Sequence, residues 1–482
     1  MPQFVLLWTD AALFALILGV IAYAWRVARS PNLRATWGRV LHDTPAMCSA
    51  VVLLAFTLVA VLDSVHYRPA LPPAPGAAAD APTAYSPVTL SVLDAVLTAT
   101  VPAAERSWSG PLATRQFTKE TELIDGEPVR DFPRLQYGGA HLADEAGWAA
   151  DVTHRAVLGL AGGLAAAMAL AILVSLLLAL RWRLGWREAC RDIAAGVTRV
   201  PWRAMLITLG LLCLVIGVVA GLSSGYHVLG TDRTGNDVLV QALKSIRTAL
   251  VIGSLTTIAM LPFAIGFGLA AGYFKGWADD VIQYLYTTLT SIPGILLIAA
   301  CVLMLQVFID THPELFPTAA QRADVRLFML CLILGFTGWA GLCRLLRAEA
   351  MKLSELEYVQ AARAFGVGHG RIILRHLLPN VMHIVLITVV LEFSSLVLYE
   401  AVLSYLGVGV DPSMNSFGSM IDMARTEMSR DPMIWWNLLA AFVFMLALVL
   451  SANLFADAVR DAFDPRGARF RVRRRRAQRS PA

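Results

Sequence analysis

The sequence predicts an all-α integral membrane protein with about nine transmembrane helices and a small extracytoplasmic domain. Of its 482 residues, 57% are hydrophobic and 16% are charged, whereas soluble proteins average roughly 45–50% and about 25%. Apolar runs that are long enough for a bilayer, which takes about 20 residues, recur along the chain. Arginines cluster in alternate loops between these runs. This composition excludes a disordered protein and disfavours an ordinary soluble enzyme.

Nine apolar runs define the candidate spans. They cover residues 4–25, 46–62, 155–180, 204–223, 248–273, 284–308, 327–346, 379–406 and 434–457. In the first run the arginines, Arg26 and Arg29, follow the apolar residues, which is the reverse of the order in a cleaved signal peptide. We therefore expect an anchor with the N-terminus outside. Pro293 is expected to kink the sixth span, either as a hinge for gating or as a static bend.

The distribution of charge predicts which loops face the cytoplasm. Loop 26–45 has four arginines and one aspartate, and loop 181–203 has six arginines and two acidic residues. The segment 63–154, here called the polar segment, has 12 acidic and 6 basic residues. Because arginine and lysine concentrate in cytoplasmic loops, we expect the two loops and the arginine-rich tail 467–482 inside and the polar segment outside. The tail is expected to bind anionic lipid rather than nucleic acid.

The runs and loops divide the chain into five regions. Residues 1–62 hold two spans, 63–154 hold a Pro/Ala-rich linker and a small domain, 155–203 hold a third span and a basic loop, 204–466 hold six spans, and 467–482 form the tail. We expect neither a metal site nor a catalytic residue. The cysteines include no CxxC pair, and the chain has no GxxxxGK[ST] phosphate loop.

The most informative stretch lies between the seventh and eighth spans, at 350–378, here called the coupling loop. Its composition predicts a helix over 355–365 that ends at Gly366, since glycine accepts the left-handed conformation common just past a helix. A second amphipathic helix is expected next, with Pro379 in the first turn of the following span. A helix, a glycine turn and a helix suit the cleft of a partner protein. The alternative is an amphipathic loop that only covers the bundle.

The coupling loop resembles the EAA signature of permease subunits of binding-protein-dependent ABC importers. The pattern is Gln-Ala-Ala-x3-Gly-x9-His-x-Leu-Pro, and the matching residues are Gln360, Ala361, Ala362, Gly366, His376, Leu378 and Pro379. Glu357 begins a longer match, Glu-Tyr-Val-x-Ala-Ala-Arg-Ala-x-Gly, that resembles the dipeptide/oligopeptide branch. The generic signature has Glu in place of Gln360 and Ile in place of His376, although His is usual in this branch.

Four further motifs in the same order strengthen the resemblance, which covers about 205–466. They are Leu-Gly-Thr-Asp-x-x-Gly-x-Asp-Val-Leu at 229–239, Ala-Gly-Tyr-Phe-x-Gly-Trp-x-Asp at 271–279, Glu-Ala-x-Leu-Ser-x-Leu-Gly-x-Gly-Val at 400–410, and Arg-Asp-Ala-x-Asp-Pro-Arg at 460–466. The first is an extracytoplasmic motif whose candidate residues are Gly230, Thr231, Asp232, Gly235 and Asp237. Thr231 or Asp232 is expected to cap a short interfacial helix, and contact with a binding protein is the alternative.

The resemblance implies a type I ABC-importer permease core, built from the last six spans, in the bacterial cytoplasmic membrane. It also implies four partners: a homologous second permease, two ATPase subunits and an extracytoplasmic substrate-binding protein. This chain would bind no cofactor and would not be an enzyme, since the ATPase subunits use ATP and Mg. The implied substrates are di- or oligopeptides, and nickel chelates or another small solute are the alternative. The small domain would dock the binding protein, cover the pathway or act as a spacer.

Two carboxylates in the eighth span are candidate pathway residues. An intramembrane carboxylate is costly and is a functional candidate by default. Glu392 lies near mid-membrane, about 20 Å from Pro379 by helical rise, and could contact the amino group of a peptide. The favoured role of Glu392 is nevertheless structural, as a carboxylate satisfied by a neighbouring helix. Structural packing is also the favoured role of Glu400.

Two other classes of protein remain as alternatives. An ion-coupled secondary transporter would show buried charges along several spans, whereas only Glu392 stands out here. A membrane-bound enzyme or sensor would need a catalytic or ligand-binding cluster. In the polar segment, His66, His141 and His154 have no metal-ligand spacing.

Overall fold

The computed structural model describes residues 2–71, 85–124, 127–316 and 318–463. Its helices are α1 Trp8–Arg29, α2 Pro31–Val40, α3 Thr44–Asp63, α4 Val92–Thr98, α5 Trp148–Trp182, α6 Trp186–Ala195, α7 Trp202–Ser223, α8 Val238–Phe274, α9 Gly276–Ser291, α10 Gly294–Thr311, α11 Ala319–Gly338, α12 Ala340–Ser354, α13 Glu357–Ala364, α14 His369–Ile372, α15 Leu378–Tyr405, α16 Phe417–Glu427 and α17 Trp436–Phe463. A π-helical turn, Ile373–Leu377, joins α14 to α15. The tail 467–482, much of the linker and residues 464–466 lie outside the described residues.

Short strands lie near the chain start and in the polar segment. β1 (Gln3–Val5), β2 (His66–Arg68) and β3 (Leu90–Ser91) form an antiparallel sheet in that order. β4 (Glu120–Ile124) and β5 (Glu127–Asp131) form an antiparallel hairpin that pairs Glu120 with Asp131.

The membrane spans agree with the predicted fold class. Among the described residues, eight helices are long and apolar enough to cross a membrane, and α11 and α12, which meet at an angle of 41°, would add a ninth if they count as one span. The eight are α1, α3, α5, α7, α8, α10, α15 and α17, with short turns extending the starts of α5 and α15. The prediction of an all-α membrane protein with about nine spans is confirmed.

The sixth predicted span differs from its prediction. In place of one kinked helix over 284–308, α9 ends at Ser291 and α10 begins at Gly294. Ile292 is extended, with φ −85° and ψ 132°, because the ring of a following proline disfavours the helical conformation. Pro293 therefore separates two helices and does not bend a continuous one.

The chain forms two compact units. The first comprises the described parts of Met1–Leu6, Leu41–Ala249 and Asn415–Ser451. The second comprises the described parts of Leu7–Val40, Leu250–Met414 and Ala452–Ala482. Helices α8 and α17 contribute residues to both.

In the first unit, α5 and α7 pack backbone against backbone. Each helix carries two glycines four residues apart, Gly159 and Gly163 in α5 and Gly217 and Gly221 in α7. A Cβ on Gly159 would lie 2.3 Å from the carbonyl oxygen of Gly217, and one on Gly217 would lie 2.4 Å from that of Gly159. Such small-residue pairs allow close approach of membrane helices. An extra helix is thereby joined to the first helix of the predicted core.

In the second unit, the C-terminal part of α8 packs on α12 in a similar way. A Cβ on Gly272 would lie 2.5 Å from the Cβ of Ala350 and 2.6 Å from the carbonyl oxygen of Arg347. The first extra helix also contacts this unit, since the backbone N–H of Thr9 in α1 donates to Asp324 of α11 at 3.2 Å. The second unit thus combines α1 with helices of the predicted core.

Candidate functional site

The first helix of the coupling loop ends as the sequence predicts. α13 runs from Glu357 to Ala364, and Gly366 follows with φ +74°. The N–H of Val367 donates to the carbonyl of Ala362 at 3.0 Å, and that of Gly366 donates to the carbonyl of Arg363 at 3.0 Å. This is the Schellman arrangement. It needs a residue with positive φ, which glycine provides without strain.

The second helix of the loop differs from its prediction because it is continuous with the following span. α14, the π-helical turn and α15 form one helical run from His369 to Tyr405. Pro379 is the second residue of α15. A proline inside a helix removes one N–H and its ring clashes with the carbonyl four residues earlier. The carbonyl four residues before Pro379 belongs to the π-helical turn, which is wider than an α-helical turn.

Three apolar side chains fix the coupling loop to the helices behind it. Val359, Ile372 and Leu377 are each 0% exposed and pack in a cluster with Tyr273 of α8 and Leu346 of α12. Fully burying a side chain of this size stabilises a structure by about 1.5–3 kcal/mol. The loop is therefore held in one position relative to α8 and α12.

Polar contacts from the turn between α8 and α9 support the same loop. The Tyr273 hydroxyl lies 2.9 Å from Nδ1 of His369, and Lys275 forms an ion pair with Glu355. In the first turn of α9, Asp279 accepts a hydrogen bond from Nη2 of Arg347 at 2.7 Å, and this arginine lowers the pKa of the aspartate. Sequence reasoning matched this turn to the family but assigned it no role, because the turn and the coupling loop are far apart in the chain.

The opposite face of α13 is exposed, although Nε2 of Gln360 donates to the carbonyl of Glu355 at 3.1 Å. Glu357, Gln360, Ala361 and Gly366 are exposed, and Phe365 at the helix end is 87% exposed. Aromatic side chains are enriched at protein–protein interfaces, so this end of α13 is a candidate contact surface. Sequence reasoning missed Phe365, although a phenylalanine directly before the helix-ending Gly366 was a visible signal.

The remaining signature residues lie on the packed face of α13 or in the helical run that continues into α15. Ala362 and Leu378 are half-buried, Pro379 is exposed, and half-buried His376 has its ring 6.0 Å from that of Tyr358. The signature thus divides into an exposed part on α13 and a part that joins the loop to α15.

The candidate pathway residues lie at two levels of α15 and at the break before α10. Glu392 is half-buried, and Glu400 is 1% exposed and accepts a hydrogen bond from the Ser404 hydroxyl at 2.6 Å. Eight residues separate the two along α15, which is about 12 Å of helix. The break at Pro293 lies near Tyr399, because a Cβ on Gly294 would be 3.6 Å from the tyrosine hydroxyl.

The motif at 229–239 is built around hydrogen bonds, and one expectation about it is wrong. Asp237, and neither Thr231 nor Asp232, caps a helix: its Oδ1 accepts the N–H groups of Leu239 and Val240 at the start of α8, at 2.8 and 3.2 Å. Asp232 accepts N–H groups within its own turn, including that of Thr234 at 2.8 Å. Only Asp237 directly precedes a helix, so only it reaches the unpaired N–H groups.

Thr231 and the two glycines of this motif contact the polar segment. The hydroxyl of Thr231 donates to the carbonyl of Ser107 at 2.8 Å. Gly230 and Gly235 have φ +73° and +79°. A Cβ on Gly235 would lie 1.8 Å from the carbonyl oxygen of Glu105, so a larger residue has no room there.

A buried histidine joins the motif to the polar segment. Nδ1 of His227 lies 2.7 Å from Asp237, and its Nε2 lies 3.6 Å from Glu105. Burial alone lowers the pKa of His227, but the hydrogen bond to Asp237 and the negative charges of Asp237 and Glu105 raise it to about 9. Burial raises the pKa of Glu105, but the neighbouring His227 and hydrogen bonds from three backbone N–H groups at 136–138 lower it to about 2. Both groups are therefore charged at neutral pH. Sequence reasoning missed this pair, which lies far apart in the chain.

Part of the chain, including the coupling loop, matches a known protein family. Residues 264–469 match the family described as "Binding-protein-dependent transport system inner membrane component". The oligopeptide transport system permease protein OppC of Mycobacterium tuberculosis is 34% identical over 239 residues, or 50% of this chain and 76% of the relative. The dipeptide transport system permease protein DppC of Alkalihalophilus pseudofirmus is 32% identical over 244 residues, or 50% of this chain and 73% of the relative.

A third relative is named for glutathione. The glutathione transport system permease protein GsiD of Pectobacterium atrosepticum is 30% identical over 244 residues, or 50% of this chain and 74% of the relative. The family match includes α9 to α15 and hence the whole coupling loop. The chain belongs to the family of binding-protein-dependent transport system inner membrane components, in the branch of the oligopeptide and dipeptide permeases.

Proposed function

We propose that this chain is the transmembrane permease subunit of an ATP-driven ABC importer that moves di- or oligopeptides into the bacterial cytoplasm. The observation that carries the proposal is the coupling loop, in which a short helix has one exposed face and one face fixed to the membrane helices. The partners are a homologous second permease, two ATPase subunits and an extracytoplasmic binding protein. The ATPase subunits hold ATP and Mg, and this chain binds neither.

The geometry of the loop supports a mechanical role. Gln360, Ala361 and Phe365 form the surface that enters a cleft of an ATPase subunit. A displacement of α13 passes through Val359 and Ile372 to the helices behind, because a close-packed interior transmits strain. It also passes along the continuous helix from His369 to Tyr405, which is roughly 55 Å long at 1.5 Å per residue.

The orientation in the membrane follows from charge. The coupling loop and the tail 467–482 lie in the cytoplasm, and the N-terminus and the polar segment lie outside. The motif at 229–239 lies on the outer side with the polar segment, which we propose as a docking surface for the binding protein.

The substrate class rests on the relatives' names and on the chemistry of α15. Two of the three relatives cited are named for oligopeptides or dipeptides, and glutathione is itself a small peptide. Glu392 could pair with the ammonium group of such a substrate. Nickel chelates, another small solute and ion-coupled transport receive no support from these relatives.

Gly366→Asp tests the proposal. The substitution puts a charge and a Cβ at a residue with φ +74° on the exposed side of the loop. We expect membrane vesicles that contain the variant to lose peptide uptake by at least tenfold, and the loaded binding protein no longer to stimulate ATP hydrolysis. Gly196→Asp is the matched control, since Gly196 also ends a helix, has φ +68° and has open space around it.

Co-purification from gently solubilised membranes reads out assembly separately. We expect two ATPase subunits and a second permease with the wild type and with Gly196→Asp, and loss of the ATPase subunits with Gly366→Asp. Purification of this chain without partners, under conditions that keep a control ABC complex intact, would overturn the importer proposal. Uptake that persists in an assembled Gly366→Asp complex would reject the role of the loop.

A further inference from the structure

We propose that a cavity at one end of α3, α5 and α7 binds an anionic phospholipid of the cytoplasmic leaflet. The cavity has a volume of about 860 Å³ and lies within the first unit. Met47 near the start of α3, Leu178 near the end of α5 and Trp202 at the start of α7 line it. The loop between α5 and α7 forms the remaining wall.

The wall formed by that loop is ordered by specific contacts. Arg183 ends α5 in the left-handed conformation, and the chain turns into α6. Trp186 of α6 donates its indole N–H to the Ser175 hydroxyl of α5 at 2.9 Å, and Ala189 and Ile193 of α6 are buried. The opening is therefore a feature of the packed loop.

The lining combines apolar surface with cations. Arg181 and Arg199 both line the cavity and both are exposed. In the part of the chain that the structure describes, no hydrogen bond or ion pair joins either guanidinium to another residue. Among the described residues, Asp192 is the only acidic one that lines the cavity, so their net charge is +1. An anionic group fits this charge, and a planar guanidinium binds phosphate oxygens in pairs.

Apolar contacts select a lipid over a soluble anion. Leu177 and Val197 line the same cavity, and they are 56% and 78% exposed. A small phosphate or carboxylate would leave these surfaces uncovered, whereas acyl chains cover them. An occupant with an anionic head and apolar chains matches both parts of the lining.

The position of the cavity in the membrane also indicates an anionic lipid. α5 ends at Trp182 and α7 begins at Trp202, and both tryptophans line the cavity. Tryptophan concentrates at the level of the lipid headgroups. The six arginines of loop 181–203 place this end on the cytoplasmic side, and a basic pocket between membrane helices on that side suits an anionic headgroup.

The test is native mass spectrometry of the full chain in detergent, titrated with dioleoylphosphatidylglycerol or dioleoylphosphatidylcholine. We expect the wild type to bind one phosphatidylglycerol at least tenfold more tightly than phosphatidylcholine. Arg181→Gln with Arg199→Gln should reduce that preference to about twofold or less. The matched control is Arg187→Gln with Arg191→Gln, which removes the same charge from exposed residues of α6 outside the lining and should keep the preference.

Three results would overturn the proposal. The first is equal binding of the two lipids by the wild type. The second is an equal loss in both double variants, which would indicate general attraction to a basic surface. The third is displacement of the lipid by sn-glycerol 3-phosphate at matched concentration, which would assign the site to a soluble anion. If the Arg181/Arg199 variant is not recovered, Asp192→Asn decides: tighter phosphatidylglycerol binding supports the proposal, and unchanged binding overturns it.

Discussion

Replacing His227 with glutamine should remove a pH-dependent stabilisation of the contact between the polar segment and the loop before α8. The imidazole is 0% exposed and lies between Glu105 and Asp237. Glutamine retains a hydrogen-bond donor but carries no charge. Both carboxylates keep their backbone partners, three for Glu105 and two for Asp237, so the variant should still fold.

The size of the effect follows from the pKa of His227, which is about 9 in the folded chain and about 6.5 in an unfolded one. Because the folded value is raised, the stabilisation is complete below about pH 6.5 and is lost as the pH rises through about 9. At about 1.4 kcal/mol per unit, it amounts to roughly 3 kcal/mol at pH 6. Glu105 has the opposite sign: its pKa of about 2 gives stabilisation that is lost only as the pH falls through that value.

The assay is the apparent melting temperature of the detergent-purified chain, measured by scanning fluorimetry between pH 6.0 and 9.5. We expect the wild type to lose about 5 °C across this interval, most of it above pH 7.5. His227→Gln should start lower at pH 6.0 and change much less with pH.

The control is His154→Gln, because His154 is exposed on α5 and should leave the wild-type pH profile intact. If His227→Gln and the wild type lose stability in parallel as the pH rises, the histidine is not charged between the two carboxylates. The reasoning from its raised pKa would then be refuted.

Two further substitutions test packing in each unit. Gly163→Leu puts a Cβ where it would lie 2.5 Å from the carbonyl oxygen of Cys213, so we expect α5 and α7 to separate and the yield of folded chain to fall severalfold. Gly162→Leu is the control and should be tolerated, because Gly162 has open space around it. Equal yields of the two variants would contradict the backbone contact between α5 and α7. Ile372→Ala removes a fully buried side chain of the coupling loop and should cost about 2–5 kcal/mol of stability, with a matching loss of ATPase stimulation in the assembled complex. Leu374→Ala, 66% exposed, should change neither, and a wild-type melting temperature and ATPase response in Ile372→Ala would argue against rigid support of the loop.

Local features of the chain were readable without a structure because they depend on neighbours in sequence. The apolar runs predict most of the spans, since about 20 apolar residues in a row have few stable environments outside a bilayer. Gly366 could be assigned as a helix end because its conformational freedom belongs to the residue itself. The signature on α13 was likewise visible as a pattern within about 20 residues.

The details that failed depend on competition between neighbouring structures. Pro293 was expected to bend a helix, but the extended Ile292 before it separates α9 from α10. Thr231 and Asp232 were expected to cap a helix, but Asp237 stands directly before α8 and takes that role. Spacing alone does not say which of several polar residues reaches the first free N–H groups of a helix.

The class of protein, the approximate number of spans, the family and the helix of the coupling loop could all be predicted from the chain alone. What holds that helix is visible only in the folded protein, since Tyr273 and Leu346 reach it from two other helices. The tertiary structure also decided that the extra helices α1 and α5 contact α11 and α7, and that His227 lies between Glu105 and Asp237. These contacts join residues up to 315 positions apart, as Thr9 and Asp324 are, and no local pattern encodes them. Burial and charge pairing act on distance in space, and the fold alone sets that distance.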